Sequence, residues 1–117
     1  GGPLVQHSLV AMMEFCVLGK LKPEQVVAKM CHAPADVFKV SKRGYIRKDY
    51  FADLVIVKPN SRWTVSCENL LYKCKWSPFT GMTFNNAVTH TIVNGHLVYD
   101  KGTFFEKQKG MRLTFDR

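Results

Sequence analysis

Ala52-Asp53-Leu54-Val55-Ile56-Val57-Lys58-Pro59 divides the chain in two: the residues before it have helical spacing, and those after it have the pattern of strands and turns. Four consecutive apolar residues, three of them β-branched, stand between Asp53 and Lys58-Pro59. Such a run predicts a short strand buried on both faces, ended by Pro59, which has no N–H to continue a ladder. A strand of that kind needs apolar material above and below it, so the run belongs inside a layered α/β structure.

Working toward the N-terminus, Gly1-Gly2-Pro3-Leu4 is loop, and Ser8 is a candidate N-cap for a helix over 9–18 that Gly19 stops. Glu14 is the only charge in that helix, so its surface is apolar nearly all round and calls for neighbours on several sides. Pro23 opens a second helix, with Glu24 near the positive end of its dipole and Val26, Val27 and Met30 as its core face. This helix is expected to stop near His32, and Pro34 to restart a short turn through Phe38. Gly44 and the basic residues Lys39, Lys42, Arg43, Arg47 and Lys48 then lead into the central run.

Working toward the C-terminus, Trp63-Thr64-Val65 and Cys74 to Gly81 are short strand and turn segments. Thr91-Ile92-Val93, Asn94-Gly95 and His96-Leu97-Val98-Tyr99 specify a two-residue hairpin, because a type I′ turn demands positive φ at both central residues. Asp100-Lys101-Gly102 turns into Thr103-Phe104-Phe105, and the tail from Glu106 is charged and expected to be mobile at its end.

Composition bounds the class. With 46% hydrophobic and 22% charged residues, the chain is an ordinary globular one. No apolar run approaches the roughly 18 residues of a membrane span, and no signal-peptide layout is present, so a cytoplasmic location is expected. Cys16, Cys31, Cys67 and Cys74 lack CxxC spacing and are expected to be buried thiols in a reducing compartment. A zinc site from Cys67, Cys74, His90 and His96 has the wrong cysteine gap. The net charge of +8 could attract a polyanion. No pair among His7, His32, His90 and His96 has HxH or HxxxH spacing, Ser8 and Ser77 lack a GxSxG setting, and there is no glycine-rich phosphate loop. The residues themselves therefore show no catalytic centre and no metal site.

Three blocks carry a resemblance. His32-Ala33-Pro34-Ala35-Asp36-Val37-Phe38, with Arg43-Gly44-Tyr45-Ile46 and Ala52 to Val57, is similar to an NPAxxF...GxI...ADLVI passage. Lys73 to Gly81 and Val88 to Gly95, with Val98-Tyr99 and Gly102 after them, are the other two. Together they resemble the C-terminal part of the cyclic amidohydrolases, in particular the dihydroorotase branch. Asp49 departs from the usual glycine there, and Asp is one of the few other residues that accepts a left-handed backbone. Lys58 replaces a common acidic residue.

The resemblance implies a parent with a metal-dependent (β/α)8 barrel and a small β-sandwich. Residues 1–43 would be the last barrel helices and 44–117 the C-terminal share of the sandwich. The parent would hydrolyse the cyclic amide of dihydroorotate to carbamoyl aspartate in pyrimidine biosynthesis, with zinc as cofactor. Its metal ligands match no position here, so the chain alone is expected to be inactive and to dock on the upstream portion of its own protein, in a homodimer. The loop Gly1, Gly2 and Pro3 would border the substrate. An allantoinase- or hydantoinase-like relative, a catalytically silent homologue, and a basic nucleic-acid-binding β domain that stacks bases on Trp63, Trp76 and Phe79 are the alternatives. Neither nucleic acid nor membrane is an expected partner.

Overall fold

The computed structural model describes residues 1–117, a mixed α/β chain. Its helices are α1 (Ser8–Val17), α2 (Pro23–Val27) and α3 (Ala33–Phe38), and its strands are β1 (Leu54–Lys58), β2 (Trp63–Thr64), β3 (Thr83–Phe84), β4 (Ala87–Val93), β5 (His96–Asp100) and β6 (Thr103–Phe104). Two compact units are interleaved along the chain, one of residues 1–21 and 58–87, the other of residues 22–57 and 88–117.

The first unit pairs α1 with a two-stranded ribbon. β2 and β3 run antiparallel, with Trp63 opposite Phe84 and Thr64 opposite Thr83, and the two threonine hydroxyls meet at 2.9 Å. The ribbon continues beyond the strands, since Val65 N–H donates to Met82 O and Gly81 N–H to Val65 O. Phe84, Val65 and Val10 are buried at its centre. The single charge of α1 is used here: the Glu14 carboxylate accepts from Asn85 N over 2.6 Å and from Asn85 Nδ2 over 3.1 and 3.2 Å. Ser8 is the first helical residue and not the cap; its hydroxyl donates back to Val5 O across a preceding turn of 3-10 helix, Val5–His7. Gly19, with φ +73°, ends the helix as expected.

The second unit holds a longer helix than the sequence predicts. α2 does not stop at His32. A π-helical turn, Ala28–His32, joins it to α3, and Ala33 N–H donates to Ala28 O five residues back. Pro34 supplies the reason: a proline inside an α-helix removes one N–H and crowds the carbonyl four residues before it, and the wider turn relieves both. Val26 and Ala35 are buried, whereas Val27, assigned to the core face, is exposed. The helix ends at Lys39 in a left-handed conformation, φ 54°.

The sheet of this unit has the order β1-β4-β5-β6. The hairpin is where the sequence puts it. Val93 pairs with His96, and Asn94 and Gly95 take φ 51° and 80°. The register shifts between Thr91 and Ile92, a bulge that no turn residue announces. β1 corrects the expectation of two-sided burial, since Val55 and Ile56 are 46% and 50% exposed. β1 is an edge strand paired with β4 alone, and this chain only partly covers its faces. The C-terminal tail is also more ordered than expected. Phe115 bridges Val40, Ser41 N–H donates to Thr114 O, and Asp116 N–H donates to Lys39 O. Asp49 has φ 65°, the left-handed backbone its position requires. No helix is long and apolar enough to cross a membrane.

Candidate functional site

The loop Gly1-Gly2-Pro3-Leu4 is solvent-facing, with only Pro3 half-buried. A Cβ added at Gly1 would meet nothing within 4 Å, and one at Gly2 only Leu4 Cγ at 4.0 Å. The two glycines are thus not required by packing within this chain, and they leave an unobstructed backbone. The loop is tied down immediately after. Leu4 N–H donates to Gly2 O and His7 N–H to Leu4 O, which curls the chain into the turn that precedes α1.

Gln6 and His7 anchor that turn in two directions. Gln6 N–H donates to the Tyr72 hydroxyl over 2.7 Å, Gln6 Nε2 donates to Asn69 O over 2.8 Å, and Gln6 Oε1 accepts from Leu71 N over 2.8 Å. Asn69 is itself fixed to the end of β2, donating from Nδ2 to Thr64 O over 2.8 Å and accepting from Ser66 N over 3.0 Å. His7 turns the other way and is fully buried. Its ring lies in a box of four others, with centroids at 5.8 Å from Trp63, 6.1 Å from Tyr72, 5.8 Å from Phe79 and 6.2 Å from Phe84. Neither imidazole nitrogen has a hydrogen-bond partner. Burial disfavours the charged ring and pushes the His7 pKa below its ordinary value.

The other histidines are engaged singly. In the second unit His32 stacks on Tyr45 at 4.1 Å and 9°, and its Nδ1 donates to Gly44 O over 2.7 Å. The Tyr45 hydroxyl donates to Asp36 Oδ2 over 2.7 Å, and that bond raises the phenol's pKa by favouring the protonated form. Arg47 covers Tyr45 at 4.0 Å, while Arg43 covers Phe51 at 4.1 Å and is ion-paired with Asp53. Two members of the basic cluster are therefore committed to aromatic faces and to a carboxylate. His90 Nε2 lies 3.1 Å from Asp100 Oδ1 as a cross-strand pair of β4 and β5, with its Nδ1 2.9 Å from Thr89 Oγ1; His96 is exposed. His32 and His90 are thus structural partners within the second unit.

A cleft of about 430 Å³ in the same unit is bordered by Arg43, Asp53, Ile92, Asn94, Met111 and Leu113. Its charged pair is self-satisfied and its walls are mostly apolar, so it presents no acid, base or nucleophile free to act.

No three His, Cys, Asp or Glu side chains are grouped as a metal would require, and Cys67, Cys74, His90 and His96 do not assemble. The residues of this chain therefore do not fit a zinc centre. All four cysteines are free thiols, and Cys31, Cys67 and Cys74 are exposed, contrary to the expected burial. Trp63 and Phe79 are engaged in the ring box around His7, and Trp76 is exposed. The sequence names the loop Gly1, Gly2 and Pro3 as an expectation only, and it says nothing of the residues that anchor the turn after it. Tyr72 and Asn69 sit in a polar connection with no periodicity, and nothing in the pattern pairs them with Gln6.

The amidohydrolase family model matches residues 6–98. The chain is 30% identical over 97% of its length to a dihydroorotase of Pyrococcus horikoshii, covering 27% of that protein. It is 35% identical over 67% of its length to an allantoinase of Desulfitobacterium hafniense, covering 17% of it. Among solved structures, the L-hydantoinase (dihydropyrimidinase) of Arthrobacter aurescens superposes with a TM-score of 0.77 at 31% identity, over 85% of this chain and 22% of that one. The chain spans about a quarter of the length of the dihydroorotases it matches.

Proposed function

The chain belongs to the amidohydrolase family, and from that premise we propose that it is the C-terminal part of a dihydroorotase-like enzyme. The observation that carries this is the extent of the dihydroorotase match, which runs over 97% of the chain, where the allantoinase match runs over 67%. The reaction is the reversible hydrolysis of the cyclic amide of dihydroorotate. Water adds to the ring carbonyl carbon, the ring C–N bond breaks, and the nitrogen takes a proton to leave carbamoyl aspartate.

In this reading residues 1–43 contribute the last helices of a (β/α) barrel and 44–117 contribute strands of a companion sandwich. The active site of such a barrel lies on the loops at the C-terminal ends of its strands. Gly1, Gly2 and Pro3 are the part of this chain that borders it. Their exposed backbone, with open space where a Cβ would stand at Gly1, supports a role in which main-chain N–H and C=O groups approach the amide edge of the ring. Zinc is held in this reading by residues outside this chain, and these 117 residues alone do not turn over substrate. The remainder of the protein, in a cytoplasmic homodimer, is the partner.

A hydantoinase-like specificity is the second reading, favoured by the 31% identity and TM-score of 0.77 to the Arthrobacter enzyme. Offering the zinc-loaded full-length protein dihydroorotate, hydantoin and allantoin separates the two. Turnover of dihydroorotate in preference to the others is expected. Turnover of hydantoin or allantoin with none of dihydroorotate would refute the first reading.

A further inference from the structure

We propose that Gln6, with Tyr72, is a positioning residue that holds the loop Gly1-Gly2-Pro3 at the substrate, an inference that rests on the assignment of that loop to the border of the active site. The geometry is specific. Gln6 lies two residues after Leu4, the last residue of the loop, and every polar group it can offer inward is used: its main-chain N–H on the Tyr72 hydroxyl, its amide nitrogen on Asn69 O, its amide oxygen on Leu71 N. Those three partners lie on one short segment, and that segment is not free to drift. Asn69 is bound to Thr64 O and to Ser66 N, and Tyr72 is packed edge-on to His7 in the ring box. The loop is thereby referenced to β2 and, through Trp63 opposite Phe84, to the ribbon. A loop of two glycines has no stiffness of its own, so its accuracy must come from whatever fixes its end.

Stability alone would not call for this arrangement. The bonds of the Gln6 side chain are solvent-exposed, so water can replace both without leaving a buried group unpaired. What water cannot supply is a fixed distance from Leu71 and Asn69 to the turn. Misplacement of a substrate-positioning group by about 1 Å can cost up to about 100-fold in rate.

The test compares wild type with Gln6→Ala, Gln6→Glu and Tyr72→Phe in the zinc-loaded full-length protein. Hydrogen exchange is monitored at the Leu4 and His7 amides, which bond to Gly2 O and Leu4 O and are not touched by the Gln6 side chain. Gln6→Ala is expected to keep the wild-type thermal midpoint closely, to speed exchange at both amides, and to lower kcat/KM roughly 10- to 100-fold on dihydroorotate. Gln6→Glu keeps the acceptor for Leu71 N–H and is expected to recover part of that loss. Tyr72→Phe keeps the ring in the box but removes the acceptor for Gln6 N–H, and is expected to show a smaller loss of the same kind.

Faster exchange with unchanged kcat/KM would overturn the positioning role. Unchanged exchange in Gln6→Ala would overturn the clamp, whatever happens to turnover. A wild-type enzyme that opens none of dihydroorotate, hydantoin and allantoin would overturn the reading of the loop and this inference with it. A panel in which wild type is active and the variants are not affected leaves the reading standing and removes only the clamp.

Discussion

Replacing His7 by leucine should remove an acid-sensitive step in stability from the first unit. In the folded chain the ring is fully buried, neither nitrogen has a partner, and desolvation lowers its pKa from the ordinary 6.5. Well above pH 6.5 the ring is neutral whether folded or not, and it contributes no pH dependence. As pH falls through 6.5 the unfolded chain takes up a proton that the folded ring resists. The unfolded state then binds more protons, and stability declines as pH falls until the lowered folded pKa is reached. The loss approaches about 1.4 kcal/mol per pH unit, so between pH 7.5 and 5.5 wild type should lose up to about 1.3 kcal/mol from this residue alone.

At neutral pH the substitution has opposing effects. Two orphaned nitrogens cost about 1–3 kcal/mol when buried, which leucine relieves, while four ring contacts at about 0.5–1.5 kcal/mol each are lost. The absolute change is therefore a poor readout, and the pH dependence of the difference is a clean one. Native-state exchange at the Val65 and Gly81 amides, which bond to Met82 O and Val65 O, reports opening of the ribbon around the ring box. After correction for intrinsic exchange, the wild-type opening free energy should fall more than that of His7→Leu between pH 7.5 and 5.5, by at most the roughly 1.3 kcal/mol above. Parallel pH profiles in the two proteins would refute the account of a buried neutral ring.

Gly44→Ala should be severely destabilising, because the new methyl would stand 2.4 Å from Ala35 Cβ and 2.8 Å from Cys31 O at a residue with φ +83°; a thermal midpoint of the full-length protein unchanged from wild type would contradict this packing. Gly95→Val puts a β-branched residue at φ 80° in the hairpin and should cost about 1–3 kcal/mol, measured by denaturant unfolding. The isolated chain should self-associate through the C-terminal end of α1, where Phe15, Val17 and the following Leu18 are 40%, 54% and 63% exposed; size-exclusion with light scattering showing a dye-silent monomer would oppose that.

What was legible in the sequence was whatever local chemistry dictates. Asn94-Gly95 admits few backbones other than the one found, and Gly19 and Asp49 likewise announce their left-handed conformations. What was not legible depends on partners from another part of the chain. Nothing adjacent to Gln6 or His7 says that Asn69, Tyr72 and Trp63 will come to meet them, so the two anchors of the loop were invisible although the loop itself was not. Pro34 was seen, but its signal is ambiguous. A proline can break a helix or be absorbed by a wider turn, and the choice here goes with tertiary contacts, since Ala35 is buried and has Gly44 pressed against it.

β1 shows the limit of hydrophobic patterning most clearly. Leu54-Val55-Ile56-Val57 specified a strand correctly, because β-branched side chains fit a pleated backbone whatever lies above it. The inference from the same residues to burial on both faces required a second premise, that the covering layers come from this chain, and the exposure of Val55 and Ile56 shows that premise to be false. Backbone conformation is a local consequence of side-chain shape. Burial is a property of the assembly, so a run of four apolar residues fixes the first and leaves the second to whatever packs against it.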